Sequence, residues 1–143
     1  MFLGRHEHTM DSKGRVSVPA RFRERIEEEY RNQLILTNEE RCLVLYPQDE
    51  WKSLMEKLAT LPQMKLDVKS FQRFFVSGAC ECSIDRQGRI LIPPILRGYA
   101  GLQKDLIFVG IQNKIEIWDK ERWNEELEKS KASFVKFSDS IGV

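Results

Sequence analysis

Residues Asp11-Ser12-Lys13-Gly14-Arg15-Val16-Ser17-Val18-Pro19 recur as Asp85-Arg86-Gln87-Gly88-Arg89-Ile90-Leu91-Ile92-Pro93, displaced by 74 residues in a chain of 143. Both copies keep an Asp three residues before a Gly, an Arg directly after that Gly, and apolar residues at alternate positions closed by Pro. Each choice has a physical reason. Asp at the first position of a type I turn accepts hydrogen bonds from nearby backbone N–H groups, and Gly at the fourth supplies the positive φ of a bulged hairpin. Asp11, Gly14, Asp85 and Gly88 are therefore read as turn-forming residues. Val16 and Val18, like Ile90 and Ile92, then share one face of a strand. Pro19 and Pro93 end that strand and open a helix, where a missing N–H costs little.

The correspondence extends well beyond the nine-residue motif. At the same displacement Gly4 meets Gly78, Glu7 meets Glu81, Thr9 meets Ser83 and Arg23 meets Arg97. Further on the displacement is 72, so that Tyr46 meets Trp118 and Trp51 meets Trp123. A duplicated unit of about half the chain follows. Each copy reads as hairpin, helix, hairpin and closing helix. The second hairpin of copy one turns at Asn38-Glu39-Glu40-Arg41; that of copy two turns between Gly110 and Lys114. Trp51, Leu54, Met55 and Leu58 lie at helical spacing, and Asp119 is an N-cap for a helix carrying Trp123 and Leu127. The expected division is a first repeat at 1–62, a connecting helix at 63–76 with Phe71, Phe74 and Phe75 on one stripe, a second repeat at 77–129, and a flexible tail at 130–143, where periodicity is weak. A unit of roughly 70 residues makes a small core, so the two copies are expected to pack together as halves of one pseudo-two-fold domain. The fold class is mostly β with short helices, α+β.

Composition bounds the partners. The hydrophobic fraction is 41% and the charged fraction 31%, which is a globular balance. No apolar run approaches the ~20 residues of a membrane span. The N-terminal residues lack a signal peptide's apolar stretch, and Cys42, Cys80 and Cys82 suit a reducing compartment. A cytoplasmic protein is expected. Net charge is +1, without the basic excess common in nucleic-acid binders. Its distribution is uneven. Residues 1–25 carry Arg5, Lys13, Arg15, Arg21, Arg23 and Arg25 against Glu7, Asp11 and Glu24, whereas acidic residues gather in helical stretches such as Glu27-Glu28-Glu29. Composition alone favours the plainer reading, that near-zero net charge means no polyanion partner; a polyanion-binding surface would have to be a local patch, multiplied by oligomerisation.

The duplicated Asp-x-x-Gly-Arg motif with its alternating apolar residues and Pro resembles the AbrB-like, swapped-hairpin DNA-binding proteins. Two such modules in one chain, together with Leu96-Arg97-Gly98-Tyr99-Ala100-Gly101-Leu102 and Ile115-Glu116-Ile117-Trp118, resemble the MraZ family over about residues 1–137. The resemblance implies a pseudo-two-fold swapped-hairpin β-barrel with a helix closing each repeat. It implies a ring-shaped homo-oligomer, associated with the nucleoid, that regulates transcription. Its partner would be double-stranded DNA, at short direct repeats in the promoter of a division and cell-wall gene cluster including its own operon. It also implies that no cofactor, membrane or small-molecule substrate is involved.

The DNA-binding candidates are Lys13, Arg15, Arg86 and Arg89. Turn geometry needs none of these charges. A two-stranded ribbon enters the major groove, where Arg binds a guanine edge bidentately and Lys neutralises phosphate. Two readings stand for Arg15 and Arg89: contact with DNA, or pairing with the Asp four residues earlier. For Lys13 and Arg86 contact is preferred over a merely solvated loop. Arg5 and Arg21 are further candidates for phosphate contact; Arg21, Arg23 and Arg25 are equally able to pair with Glu24, Glu28 or a neighbouring subunit.

His6 and His8 correspond to Cys80 and Cys82, a set that could reach one zinc ion only if the two strands adjoined, and their single-residue spacing is not that of structural zinc sites. No metal site and no catalytic residues are assigned. A thiol enzyme built on Cys80 or Cys82 is the minor alternative. The other alternative is an oligomeric protein-interaction module without DNA binding.

Overall fold

The computed structural model describes residues 1–143. Copy one supplies β1 (Arg5–Thr9), β2 (Arg15–Ser17), α1 (Ala20–Tyr30), β3 (Gln33–Glu39), β4 (Cys42–Pro47) and α2 (Gln48–Ala59). A connecting α3 (Leu66–Phe71) runs on into a π-helical turn at Gln72–Val76. Copy two supplies β5 (Cys80–Ser83), β6 (Arg89–Leu91), α4 (Pro94–Ala100), β7 (Asp105–Ile111), β8 (Lys114–Asp119) and α5 (Lys120–Ser140). The order of elements repeats, and the fold is a duplicated α+β domain.

The two copies are threaded through each other. Six strands form an antiparallel sheet in the order β1-β7-β8-β4-β3-β5, and β2 pairs with β6 in a separate ribbon. Each copy's first strand therefore lies against the other copy's second hairpin: β1 beside β7 (Arg5 opposite Val109) and β5 beside β3 (Leu34 opposite Cys82). The hairpins meet at β4 and β8, with Val44 opposite Glu116. The ribbon places Val16 opposite Ile90. Positions equivalent by duplication face each other in both places, so a pseudo-two-fold axis passes through both pairs.

Alternation explains the main core. Val16, Val18, Ile90 and Ile92 are fully buried under the ribbon and pack with Leu36, Leu45, Phe108 and Ile117 of the sheet in one continuous cluster. Phe22 and Ile26, four residues apart on α1, face the same cluster. Phe2 completes it from the N-terminus, 1% exposed, edge-on to Phe22 at 5.6 Å. A smaller apolar group joins α2 to the connection: Trp51 stacks on Phe75 at 5.3 Å, and the buried Thr37 hydroxyl donates to the Phe75 carbonyl at 2.6 Å.

Caps agree with local sequence. Asp119 Oδ2 accepts from the Glu121 N–H at 3.2 Å at the start of α5. Gly101 ends α4 at φ 62°, in the left-handed region that glycine tolerates. Two expectations are corrected. The strands flanking each Asp-x-x-Gly turn do not pair as a hairpin within a copy, because β1 pairs with β7, β5 with β3, and β2 with β6. Residues 130–143 are not a loose tail up to Ser140, because α5 continues through them. Phe134, Val135 and Phe137 are more than 60% exposed there, so the segment lacks the buried stripe by which a helix is read. Lys131, Ala132 and Lys136 favour helix by propensity, and the segment continues the capped first turns of α5.

Candidate nucleic-acid interface

The Asp-x-x-Gly loops form as the sequence dictates. Asp11 Oδ1 accepts from the backbone N–H groups of Lys13 and Arg15, both at 2.9 Å, and Asp85 Oδ1 accepts likewise from Gln87 and Arg89. Gly14 sits at φ 90° and Gly88 at φ 79°. The side chains of the following arginines close the rings: Arg15 Nε donates to Asp11 Oδ2 at 2.8 Å, and Arg89 Nε to Asp85 Oδ2 at 3.3 Å. Arg89 also donates to the Gln87 side chain. Backbone donation, above all from Arg15, holds the Asp11 carboxyl down at about 2, well below the usual carboxylate value, and Asp85 is lowered for the same reason.

The intraloop pairing considered for Arg15 and Arg89 is thus present, and it determines how they are displayed. In Arg15 only Nε is engaged, and neither terminal nitrogen has a hydrogen bond within the chain. Strand alternation places Arg15, Ser17, Arg89 and Leu91 on the outer face of the β2–β6 ribbon, opposite its buried valines and isoleucines. Lys13 and Arg86 are exposed at the loop tips and form no ion pair. The loops stand at the two ends of the ribbon, because Ile92 N–H donates to the Gly14 carbonyl at 2.8 Å and Val18 N–H to the Gly88 carbonyl at 2.9 Å. Four residues of strand separate these points, about 13 Å. The structure so brings Lys13, Arg15, Arg86 and Arg89 onto one ribbon.

The other sequence candidates fall elsewhere. Arg5 lies at the far end of β1 from the loop, its guanidinium 5.6 Å from the centroid of the Trp123 ring. Arg21 is exposed in the first turn of α1, beside Pro19. Arg25 is paired with Glu29 at 2.8 Å. Two residues that spacing alone did not single out for the loops are Arg23 and Arg97. Each packs over the glycine turn of the opposite copy. Their equivalence at the 74-residue displacement was the available signal.

His6, His8, Cys80 and Cys82 do not assemble. β1 and β5 are opposite edges of the sheet. His6 is edge-on to Phe22 and His8 Nδ1 lies 2.7 Å from the Ser17 carbonyl oxygen. Burial pushes the Cys82 thiol up to about 12 and the Cys80 thiol upward too, which keeps both protonated and poorly nucleophilic at neutral pH. Ligand-capable atoms do cluster at Glu39, Cys42 and Glu116. Those carboxylates are already engaged: Glu39 lies 3.7 Å from Lys114, and Glu116 accepts from Trp118 Nε1 at 3.0 Å.

The chain matches the family model described as "MraZ protein, putative antitoxin-like" twice, over residues 1–74 and 75–140. It belongs to the MraZ family. The two matches divide the chain where the duplication does, and the second extends along α5. Among MraZ relatives, the transcriptional regulator MraZ of Caldanaerobacter subterraneus subsp. tengcongensis is 46% identical over 141 residues, covering 99% of this chain and 96% of its own length. The transcriptional regulator MraZ of Natranaerobius thermophilus is 45% identical with the same coverage, and that of Desulforamulus reducens 44%, covering 99% and 97%. No helix of this MraZ-family chain is long and apolar enough to cross a membrane.

Proposed function

We propose that this chain is a sequence-specific DNA-binding transcription regulator that reads short direct repeats in a promoter through the β2–β6 ribbon and its two loops. The observation that carries the reading is the ribbon itself. Two strands present Arg15 and Arg89 outward, with Lys13 and Arg86 at the ends, while each turn carboxylate is spent on its own loop. A two-stranded ribbon fits a major groove ~12 Å wide. Arg15, held through Nε alone, keeps both terminal nitrogens free, the arrangement that reads guanine O6 and N7. The regulatory names of the relatives agree with this use. The promoter is that of the division and cell-wall gene cluster, including the chain's own operon, and the protein is cytoplasmic and nucleoid-associated. No cofactor takes part.

The net charge of +1 makes a single ribbon a weak polyanion ligand. Assembly into a ring-shaped homo-oligomer supplies the rest, because several ribbons on neighbouring repeats bind as one multivalent unit. The apolar exposure of Phe134, Val135 and Phe137 on α5 favours such self-association. The test is a binding series at several salt concentrations on DNA from upstream of the gene and on a scrambled duplex. Tight, salt-dependent and sequence-selective binding is the expected outcome. Equal, negligible binding to both would leave a protein-interaction module as the better reading.

A further inference from the structure

Arg23 and Arg97 occupy equivalent positions, the fourth residue after Pro19 and Pro93 respectively. Each crosses to the other repeat. A Cβ built on Gly14 would lie 2.8 Å from Arg97 Nε and 2.9 Å from Arg97 Cζ; one built on Gly88 would meet the Arg23 guanidinium, with Cζ at 2.8 Å. The glycines thus serve two ends, positive φ and room for a guanidinium laid against the turn. Neither arginine forms an ion pair or a side-chain hydrogen bond within the chain, and the Nε of each is buried without a partner. A buried donor left unpaired is costly, and here the cost recurs at both equivalent sites. The carboxylates of the two loops offer no relief, because Asp11 and Asp85 are engaged by their own Arg15 and Arg89. Between loop one and α4 lies an open cleft of about 330 Å³ whose lining includes Ser12, Arg97 and Gln103 as well as Asp11.

We propose that Arg23 and Arg97 bind nucleic-acid backbone phosphates in trans: each guanidinium, carried by one repeat, forms with the Asp-x-x-Gly loop of the other a composite phosphate site at the foot of the ribbon. The inference rests on the ribbon binding DNA. It adds a division of labour, in which the outer face reads bases while the recessed pair fixes register on the backbone. Because each site needs both repeats, one repeat alone lacks it.

The experiment measures salt dependence of binding to promoter and scrambled duplexes for wild type, Arg23→Gln, Arg97→Gln, the charge-keeping Arg23→Lys and Arg97→Lys, and Arg25→Gln as a control, with thermal melts alongside. Loss of one phosphate contact flattens the log–log salt slope by about one and weakens both duplexes alike. That is expected of each Gln variant, with the slope retained in the Lys variants and in Arg25→Gln. Gln variants that melt lower but keep the wild-type slope would overturn the proposal and make the arginines structural clamps only. A second readout needs no substitution. Phenylglyoxal modification of the wild-type protein, read by mass spectrometry, should show Arg23 and Arg97 protected by a random-sequence duplex while Arg31 is not. Absence of that protection on a protein that binds the duplex also overturns it. A wild-type protein that binds neither duplex would instead remove the DNA-binding reading itself, and this site with it.

Discussion

Val16 and Ile90, the same position in the two repeats, lie opposite each other across the β2–β6 ribbon and are both 1% exposed. The ribbon is therefore at once the point of symmetry and part of the core, and its outer face is the surface proposed to meet DNA. Its inner side chains fix where its outer ones stand, and substitutions near it separate stability from recognition.

Gly14→Ala tests the scaffold. A methyl group there would meet the Ile92 carbonyl oxygen at 2.7 Å, and φ 90° is strained for any side chain. The expected loss is about 2–3 kcal/mol of folding stability, from backbone strain and the displaced strand contact. Denaturant titration measures it; a midpoint equal to wild type would contradict the geometry.

Arg15→Ala tests the reading of bases. The loop is capped through Asp11 Oδ1 and the backbone, so the fold should survive. Promoter affinity should fall by about 1–3 kcal/mol per site with relaxed sequence preference. Lys13→Ala should weaken all sequences alike and flatten the salt slope by roughly one. A folded Arg15→Ala protein with wild-type promoter affinity would remove the ribbon's outer face from the recognition surface.

Asp11→Asn tests the turn by pH. The folded chain holds this carboxyl at about 2, below its value in the unfolded chain. The ionised form therefore favours the folded state at neutral pH, and that contribution is lost as pH falls through about 2. Melting temperatures of wild type and Asp11→Asn should differ most at neutral pH and converge in strong acid. A gap independent of pH would show that the charge is not what caps the loop.

Phe2→Ala tests how far the core reaches. Phe2 is sealed against Phe22 and stitched to Gln112 by two backbone hydrogen bonds, of 2.6 and 3.0 Å. Truncating a buried Phe costs about 3–5 kcal/mol. A loss below 1 kcal/mol by chemical denaturation would mean that the N-terminus is frayed in solution.

Light scattering addresses assembly. The expected mass is a multiple of 16.8 kDa at micromolar concentration. A monomer under those conditions would leave the exposed face of α5 unexplained and the multivalent account of affinity without support.

Much of this was legible in the sequence, for local reasons. Asp11 with Gly14 and Asp85 with Gly88 specify turns within five residues, and Asp119 announces its helix in one turn. The duplication announced the pseudo-symmetry. Pairings such as Arg5 with Val109 are not local, and no residue pattern within either strand encodes them. The helix beyond residue 130 was missed because apolar periodicity reports burial, and Phe134 and Phe137 are exposed. Of the candidate cations, the loop residues could be found from turn chemistry. Arg23 and Arg97 were marked only by their equivalence in the duplication; that each crosses to the other repeat is visible only in the tertiary structure.

That crossing has a consequence for synthesis on the ribosome. β1 ends at Thr9, yet its only neighbour in the sheet begins at Asp105. At roughly 5–20 residues per second, the first strand waits about 5–20 s for its mate to be made. During that interval β3 and β4 have been made, but the outer edges they present in the finished sheet still await β5 and β8. Nascent chains translated side by side from one message offer each other the same missing strands. The threading that unites the two repeats thus leaves strand exchange between neighbouring nascent chains topologically open until residues 80–119 have been made.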